Sequence, residues 1–119
     1  KAKYHAAASI LSNQVIAVLD MGYSLLEDCG FTRAEAVRAT GQLVMRNIEN
    51  VLEAGCDGAL TGPIERNDIE TVKKHIACMQ NDDSDDVRLY KMLGTKLVNI
   101  AEKKNPDKDY TQMMELLRG

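Results

Sequence analysis

Four polar residues near the start of the chain interrupt an alanine-rich, helix-forming stretch: His5, Ser9, Ser12 and Asn13. Their spacings place His5, Ser9 and either Ser12 or Asn13 on one face of a helix. A histidine can transfer a proton near neutral pH, and an asparagine can orient a carbonyl or hydroxyl group. Spacing alone also allows a structural interpretation, with His5 exposed at a frayed terminus and the other three bonded to the backbone or to each other.

A second candidate region is the segment 55 to 67, which contains three glycines and a proline and breaks the helical periodicity. Thr61-Gly62-Pro63 predicts a tight turn that can offer backbone N–H groups and the Thr61 hydroxyl to a ligand. Arg66 could bind an anion, with Asp68 as its partner. A packed connector that caps the next helix explains the same residues, and both interpretations stay open at this point.

Common cofactor and metal motifs are absent from the sequence. It has neither of the two glycine-rich phosphate loops, no Gly-x-Ser-x-Gly and no His-Glu-x-x-His. His75 and Cys78 share a predicted helix face without two further ligands, so we predict no metal there. The acidic run 82–86 lacks the pattern of a calcium-binding loop. Cys29, Cys56 and Cys78 are odd in number and widely spaced, which predicts reduced, mostly buried thiols in a cytoplasmic protein.

The elements that must position these residues are helices. Apolar residues recur at helical spacing, strand-like alternation is absent, and the fold class predicted is all-α. Glycines, prolines and two capping boxes, Thr32-x-x-Glu35 and Asn67-x-x-Glu70, mark the ends of helices. The five predicted helices run from Tyr4 to Cys29, from Thr32 to about Ala54, from Asn67 to Met79, from about Ser84 to Lys104 and from Tyr110 to Leu117.

Length and charge restrict the class of protein. The 119 residues fit a single helical domain. A net charge of -3 and 4% aromatic residues disfavour nucleic-acid binding, and no uninterrupted apolar run approaches the 18 residues of a membrane span. The first helix is apolar all round at residues 15 to 19, so either it kinks near Gly22 or a second subunit covers it. We therefore expect a homodimer.

Two motifs in the expected order resemble a known family. The first motif is Lys3-Tyr4-His5-Ala6-Ala7-Ala8 followed by Ser12-Asn13, and the second is residues 59–68 with Thr71-Val72 and His75. The motifs resemble the helical C-terminal domain of the Rossmann-like oxidoreductases that carry domain of unknown function 2520. Those proteins are related to the 6-phosphogluconate dehydrogenase C-terminal superfamily. The resemblance covers residues 1 to about 79 and, more loosely, the helix with Tyr90, Leu93 and Gly94. Where the family leads us to expect a small residue and a glycine, this chain has Glu65 and Asn67. Asparagine tolerates positive φ, whereas the added carboxylate counts against direct substrate binding by this segment.

The resemblance implies an all-helical domain that follows an NADP-binding Rossmann domain and dimerises through its long helix. The 119 residues would then be the C-terminal part of a longer protein, inactive alone, with NADP bound elsewhere in that protein. In the related reductases a small-molecule substrate lies against the first long helix, where a Lys or Asn assists hydride transfer. By position, the implied catalytic residues are His5 as proton donor and Asn13 as orienting group. The residues implied in substrate binding are Ser9, Ser12, Thr61, Gly62 and Arg66.

A second hypothesis assigns this chain a function from a class other than enzymes. The chain could be a stand-alone helical protein-interaction or structural domain without enzymatic activity, in which the Gly/Pro loop contacts a protein partner.

Overall fold

The fold is a series of helices joined by short connections, in a computed structural model that describes residues 1–80 and 85–119. The five helices are α1 (Ala2–Asp28), α2 (Arg33–Ala59), α3 (Ile69–Met79), α4 (Asp86–Lys104) and α5 (Thr111–Arg118). None of the described residues forms a strand. The all-α prediction with five helices and one long helix is therefore confirmed. Ser84, the predicted start of the fourth helix, lies outside the described residues.

The chain divides into two compact units, Lys1–Met45 and Arg46–Gly119. The first contains α1 and the N-terminal part of α2. The second contains the rest of α2, the turn-rich segment after it, and α3 to α5.

Helix α1 is continuous but not uniform. It is α-helical over Ala2–Ser9, π-helical over Ile10–Gln14 and α-helical again over Val15–Asp28. It runs through Gly22 without interruption, so the kink considered there does not occur. Gly30, at φ 100°, follows its last turn and confirms the predicted stop.

The side chains of α1 are left largely uncovered in the first unit. None of its residues is buried, and Leu11 and Ile16 are 77% and 64% exposed. By length and composition alone this helix could cross a membrane, although no apolar run of 18 residues is present. Length and composition are weak support for a span, because a buried core helix of a soluble protein and an N-terminal signal sequence meet the same criteria.

Hydrogen bonds and ion pairs at Thr32 and Arg33 stabilise the connection between α1 and α2. The Thr32 backbone N–H donates to Glu35 Oε1 at 2.8 Å, and the Glu35 N–H donates to Thr32 Oγ1 at 3.1 Å. This is the predicted capping box, and its hydrogen bonds lower the pKa of Glu35. The Arg33 guanidinium bonds to Asp20 and Glu27 on α1 at 3.0 and 2.9 Å.

The core of the second unit is formed by α3, α4, α5 and the segment after α2. Helix α2 has a non-helical residue at Gly55, at φ 76° and ψ 173°, where the sequence predicted its end. One further helical stretch precedes the turn region. The buried cluster comprises Ile64, Val72, Ile76, Val98, Ala101, Tyr110, Met113 and Leu117. Ile64 comes from the turn region itself, so that segment is anchored in the core.

Two local predictions are wrong. The N-cap of α3 is Asp68, whose carboxylate accepts from the Thr71 N–H at 3.2 Å. Asn67 cannot cap this helix because it adopts φ 60°, whereas a capping residue takes an extended conformation. The cysteines are free thiols, but Cys29, Cys56 and Cys78 are all exposed rather than buried.

Candidate functional site

The predicted residues of α1 lie at its π-helical turn or one turn before it. Ser12 and Asn13 belong to the π segment Ile10–Gln14, and His5 and Ser9 belong to the α-helical part that precedes it. Short π segments inside α-helices occur frequently at functional sites. The irregular turn therefore contains Ser12 and Asn13, two of the residues predicted from the sequence to take part in the chemistry.

The π turn changes how these side chains are aligned. Its hydrogen bonds join residues five apart, so the α-helical spacing used to place them on one stripe does not hold across residues 10 to 14. The Ser12 hydroxyl donates to the Ala8 carbonyl at 2.6 Å, which accounts for Ser12 structurally. His5 and Asn13 are exposed, and within the described residues their side chains make no hydrogen bond. These two side chains are free to contact a ligand.

The second set of predicted residues lies in the turn region of the second unit. Gly62 adopts φ 99°, and its carbonyl accepts from the Arg66 N–H at 3.0 Å. The Pro63 carbonyl accepts from the Asp68 N–H at 2.8 Å. The turn expected from a glycine at position 67 persists, because Asn67 takes the positive φ instead and donates its side-chain amide to the Asp109 carbonyl.

Glu65 anchors this turn to the connection between α4 and α5. Its side chain is 14% exposed and lies 3.8 Å from Lys104 Nζ and 3.6 Å from Lys108 Nζ. Asn105 Nδ2 donates to Glu65 Oε2 at 3.2 Å, and Tyr110 Oη donates to the Glu65 carbonyl at 2.6 Å. The carboxylate is therefore occupied by the protein's own cations and amide.

The Arg66 and Thr61 side chains are exposed at the two ends of the turn. Asp68, suggested as the partner of Arg66, accepts from Thr71 N at 3.2 Å and from Thr71 Oγ1 at 2.7 Å. These hydrogen bonds lower the pKa of Asp68, and the charge of Arg66 adds to the effect. Asp68 thus caps α3, and the guanidinium of Arg66 remains available to an anion.

His75 contacts a helix that sequence reasoning did not pair with it. Its Nδ1 lies 2.9 Å from Tyr90 Oη, so α3 and α4 are joined by a hydrogen bond between half-buried side chains. Burial raises the pKa of Tyr90, and the nearby Cys78 thiol adds to this shift. In residues 1–80 and 85–119, no group of three His, Cys, Asp or Glu side chains is placed to hold a metal ion.

The residues that sequence reasoning missed are Lys104, Asn105 and Tyr110. Asn105 was interpreted only as part of a helix stop and Tyr110 only as a helix start. Both nevertheless donate hydrogen bonds to Glu65, which lies 40 residues before Asn105 and 45 residues before Tyr110. An unexplained Glu65 in a turn, together with a lysine-rich segment 103 to 108, was the available signal. Charge complementarity suggests such a pairing but does not specify which lysine takes part.

Comparison with known proteins gives one match. The sequence model of the family described as Domain of unknown function (DUF2520) matches residues 1–97, which include α1, α2, α3 and most of α4. No curated protein and no solved structure matches the chain significantly. The matched region contains both motifs from which the resemblance was argued, at His5 to Asn13 and at Thr61 to Asp68. The chain therefore belongs to the family of domain of unknown function 2520.

Proposed function

We propose that this chain is the substrate-binding and dimerisation domain of an NADP-dependent oxidoreductase that acts on a small molecule. The observation that carries the proposal is the π-helical turn of α1. There the exposed Asn13 lies in the π segment Ile10–Gln14, and the exposed His5 lies one turn before that segment. In this role His5 donates a proton and Asn13 orients the reacting carbonyl or imine. The nucleotide-binding domain and its NADP belong to another part of the longer protein.

The loop residues fit substrate binding in the same proposal. Gly62 and Arg66 are held in one hydrogen-bonded turn, with the Arg66 side chain exposed. A turn anchored in the core through Ile64 has little conformational freedom to lose when a ligand binds. Thr61 and Arg66 would provide a hydroxyl and a cation to the substrate.

Dimerisation is proposed from the exposed apolar side chains of the first unit. Tyr4, Leu11, Ile16 and Leu43 are each more than 60% exposed. Soluble monomers rarely leave such large apolar surfaces in water, because covering them is favourable by roughly 25 cal/mol per Å². A second copy of the chain, placed against α1, would remove this surface from water.

The test uses the longer protein that contains this chain. We expect it to bind NADPH and to oxidise it in the presence of a member of a panel of small carbonyl and imine compounds. His5→Ala and Asn13→Ala should each lower kcat/KM by roughly 100-fold while NADPH binding is unchanged. Ser12→Ala is the matched control on α1, because its hydroxyl is bonded to the backbone.

Two results would contradict the proposal. A longer protein that binds no nicotinamide nucleotide is not this oxidoreductase. Full activity of both variants would exclude the assigned roles. A protein partner captured through the turn at residues 61–66, with binding unaffected by His5→Ala, would favour the interaction-domain alternative.

A further inference from the structure

A cavity of about 210 Å³ lies within the second unit, beside one of the predicted substrate-binding residues. It is formed where the segment after Gly55 faces α4, and its walls include Leu60, Ala59 and Leu97. Polar atoms come from Asn47, Cys56 and Thr61. None of the eight described residues that line the cavity carries a charge.

The backbone at the cavity's edge is fixed by the rest of the unit. Lys104 Nζ donates to the Leu60 carbonyl at 2.6 Å, which ties the wall to the end of α4. The Gly55 backbone, at φ 76° and ψ 173°, redirects the chain so that Cys56 and Ala59 line the same space. Thr61 and Cys56 are exposed, so the polar lining lies where the cavity meets solvent.

Size and lining together define what this cavity can hold. An apolar cavity of roughly 150 Å³ is large enough for benzene, so 210 Å³ accommodates one six-membered ring with a short substituent. A charged group would gain no ion pair here, so the lining favours an uncharged group over a carboxylate or an amine. The amide of Asn47 and the hydroxyl of Thr61 can satisfy one uncharged polar substituent.

We propose that this cavity binds the uncharged, ring-sized apolar part of the substrate, with its hydroxyl or carbonyl substituent at Thr61. The assignment rests on the proposed function, because Thr61 belongs both to the cavity and to the substrate-binding turn. Arg66, outside the cavity on the same turn, is left to bind any anionic part. The substrate class is therefore a small compound with an uncharged apolar ring.

The three exposed cysteines provide an internal comparison for the test. Cys56 lines the cavity, while Cys29 and Cys78 do not, and trypsin places the three on separate peptides because cleavage follows Arg33, Arg46, Arg66, Lys74 and Arg88. The rate of alkylation by iodoacetamide is measured for each cysteine by mass spectrometry, without ligand, with benzyl alcohol and with benzoate. We expect benzyl alcohol to slow Cys56 several-fold and to leave Cys29 and Cys78 unchanged, and benzoate to have no effect.

Variants separate binding in the cavity from other effects. Thr61→Val should weaken the protection of Cys56, and Ala59→Phe, which fills the space, should abolish the effect of benzyl alcohol. Met92→Phe, an exposed site on α4 outside the cavity, is the matched control and should behave like the unmodified protein. If Ala59→Phe does not fold, Thr61→Val still tests the proposal.

Several outcomes would overturn the cavity assignment. They are unchanged Cys56 reactivity, equal slowing of all three cysteines, and equal protection by benzoate. Protection that depends on protein concentration instead of benzyl alcohol would show that a second copy of the chain covers the cavity. Selective protection in a protein without NADPH-dependent activity would contradict the oxidoreductase function and leave the binding site intact.

Discussion

Tyr110 shows how one buried hydroxyl can fix the position of a turn. It is 2% exposed, donates to the Glu65 carbonyl and accepts from Asn105 Nδ2 at 3.0 Å. Replacing it would leave a backbone carbonyl and an amide group with one partner fewer in a poorly solvated place. Loss of a partner in such a setting costs more than the hydrogen bond contributes, because water reaches these half-buried groups only in part.

We therefore predict that Tyr110→Phe lowers the free energy of unfolding by about 1 to 3 kcal/mol. Urea unfolding followed by circular dichroism measures the change. Thr95→Val is the control, since the Thr95 hydroxyl donates to the Met92 carbonyl of its own helix and its removal should change stability by less than about 0.5 kcal/mol. Equal effects of the two substitutions would show that the Glu65 contact contributes nothing.

Asp68 gives the second unit a pH-dependent term in its stability. Hydrogen bonds from Thr71 lower its pKa in the folded state, so its contribution is complete above the unfolded pKa and is lost as the pH falls through the folded one. Asp68→Asn can still accept the Thr71 N–H but cannot ionise. We predict that the unmodified protein is more stable than this variant at pH 7 and that the difference shrinks below about pH 4.

Urea midpoints of both proteins between pH 7 and pH 2.5 test this prediction. Hydrogen bonds from Thr32 and Thr111 also lower the pKa values of Glu35 and Asp109. These two carboxylates change the stability of the unmodified protein and of the variant equally as the pH falls. Only the difference between the two titrations therefore reports on Asp68. A difference that stays constant with pH would show that the charge of Asp68 does not matter.

At the scale of elements, Gly94 controls how closely α4 and α5 approach. A Cβ at this position would lie 2.8 Å from Leu117 Cδ2 and 3.3 Å from Ile64 Cδ1, both in the buried core. Alanine favours a helix over glycine by about 1 kcal/mol, but overpacking a core costs about 1 to 3 kcal/mol. Because Leu117 is 2% exposed and has little room to move, the second effect should be larger.

We predict that Gly94→Ala lowers the free energy of unfolding by about 1 kcal/mol. Gly41→Ala, in α2 where nothing lies within 4 Å of the added atom, should instead raise it by about 0.5 to 1 kcal/mol. The cost of Gly94→Ala should fall in a Leu117→Ala background, as a double-mutant cycle would show. If Gly94→Ala instead raised the free energy of unfolding, the prediction would be wrong, because α4 and α5 could then move apart without loss of stability.

The helices themselves were largely predictable because their ends are encoded locally. Gly30, the Thr32 and Glu35 capping box, Gly55 and the break after Lys104 each act within a few residues of their own position. The Asn67 cap failed because asparagine suits both an N-cap and a positive φ. Which one it adopts depends on the Asp109 carbonyl, which is 42 residues away.

The candidate site was less predictable than the helices. Residue types identified Ser12 and Asn13, but a π turn needs only one extra residue in a helical turn and leaves no clear mark in the hydrophobic pattern. The Glu65 contacts depend on how α4 and α5 are packed, which spacing along the chain does not reveal. The cavity at Asn47, Cys56 and Ile100 combines residues up to 53 positions apart for the same reason.

At the scale of the whole molecule, the C-terminal residues beyond the family match complete the core of the second unit. The match ends at residue 97, while Val98, Ala101, Tyr110, Met113 and Leu117 all belong to the buried cluster. A chain truncated at residue 97 would lose these five of the eight buried residues in the cluster. The family match therefore covers only part of the core of this unit.

We predict that the chain is a dimer that depends on α1. Leu11→Asp should shift sedimentation equilibrium at tens of micromolar from twice the chain mass of 13.2 kDa towards a single chain. Met92→Asp, 68% exposed on α4, is a control of similar exposure and should leave the dimer intact. A single 13.2 kDa species for the unmodified protein would contradict the role proposed for α1.

The π turn of α1 also lets the helix contain one extra residue without turning its two ends against each other. One residue more than an α-helix requires is accommodated between Ile10 and Gln14, so removing a residue there would restore regular bonding. The same deletion in a regular α-helix would rotate one side by about 100° relative to the other. Here the wider turn absorbs the extra residue, so Ala2–Ser9 and Val15–Asp28 would keep nearly the same relative orientation. Only the residues of the turn itself, Asn13 among them, would change their position relative to His5.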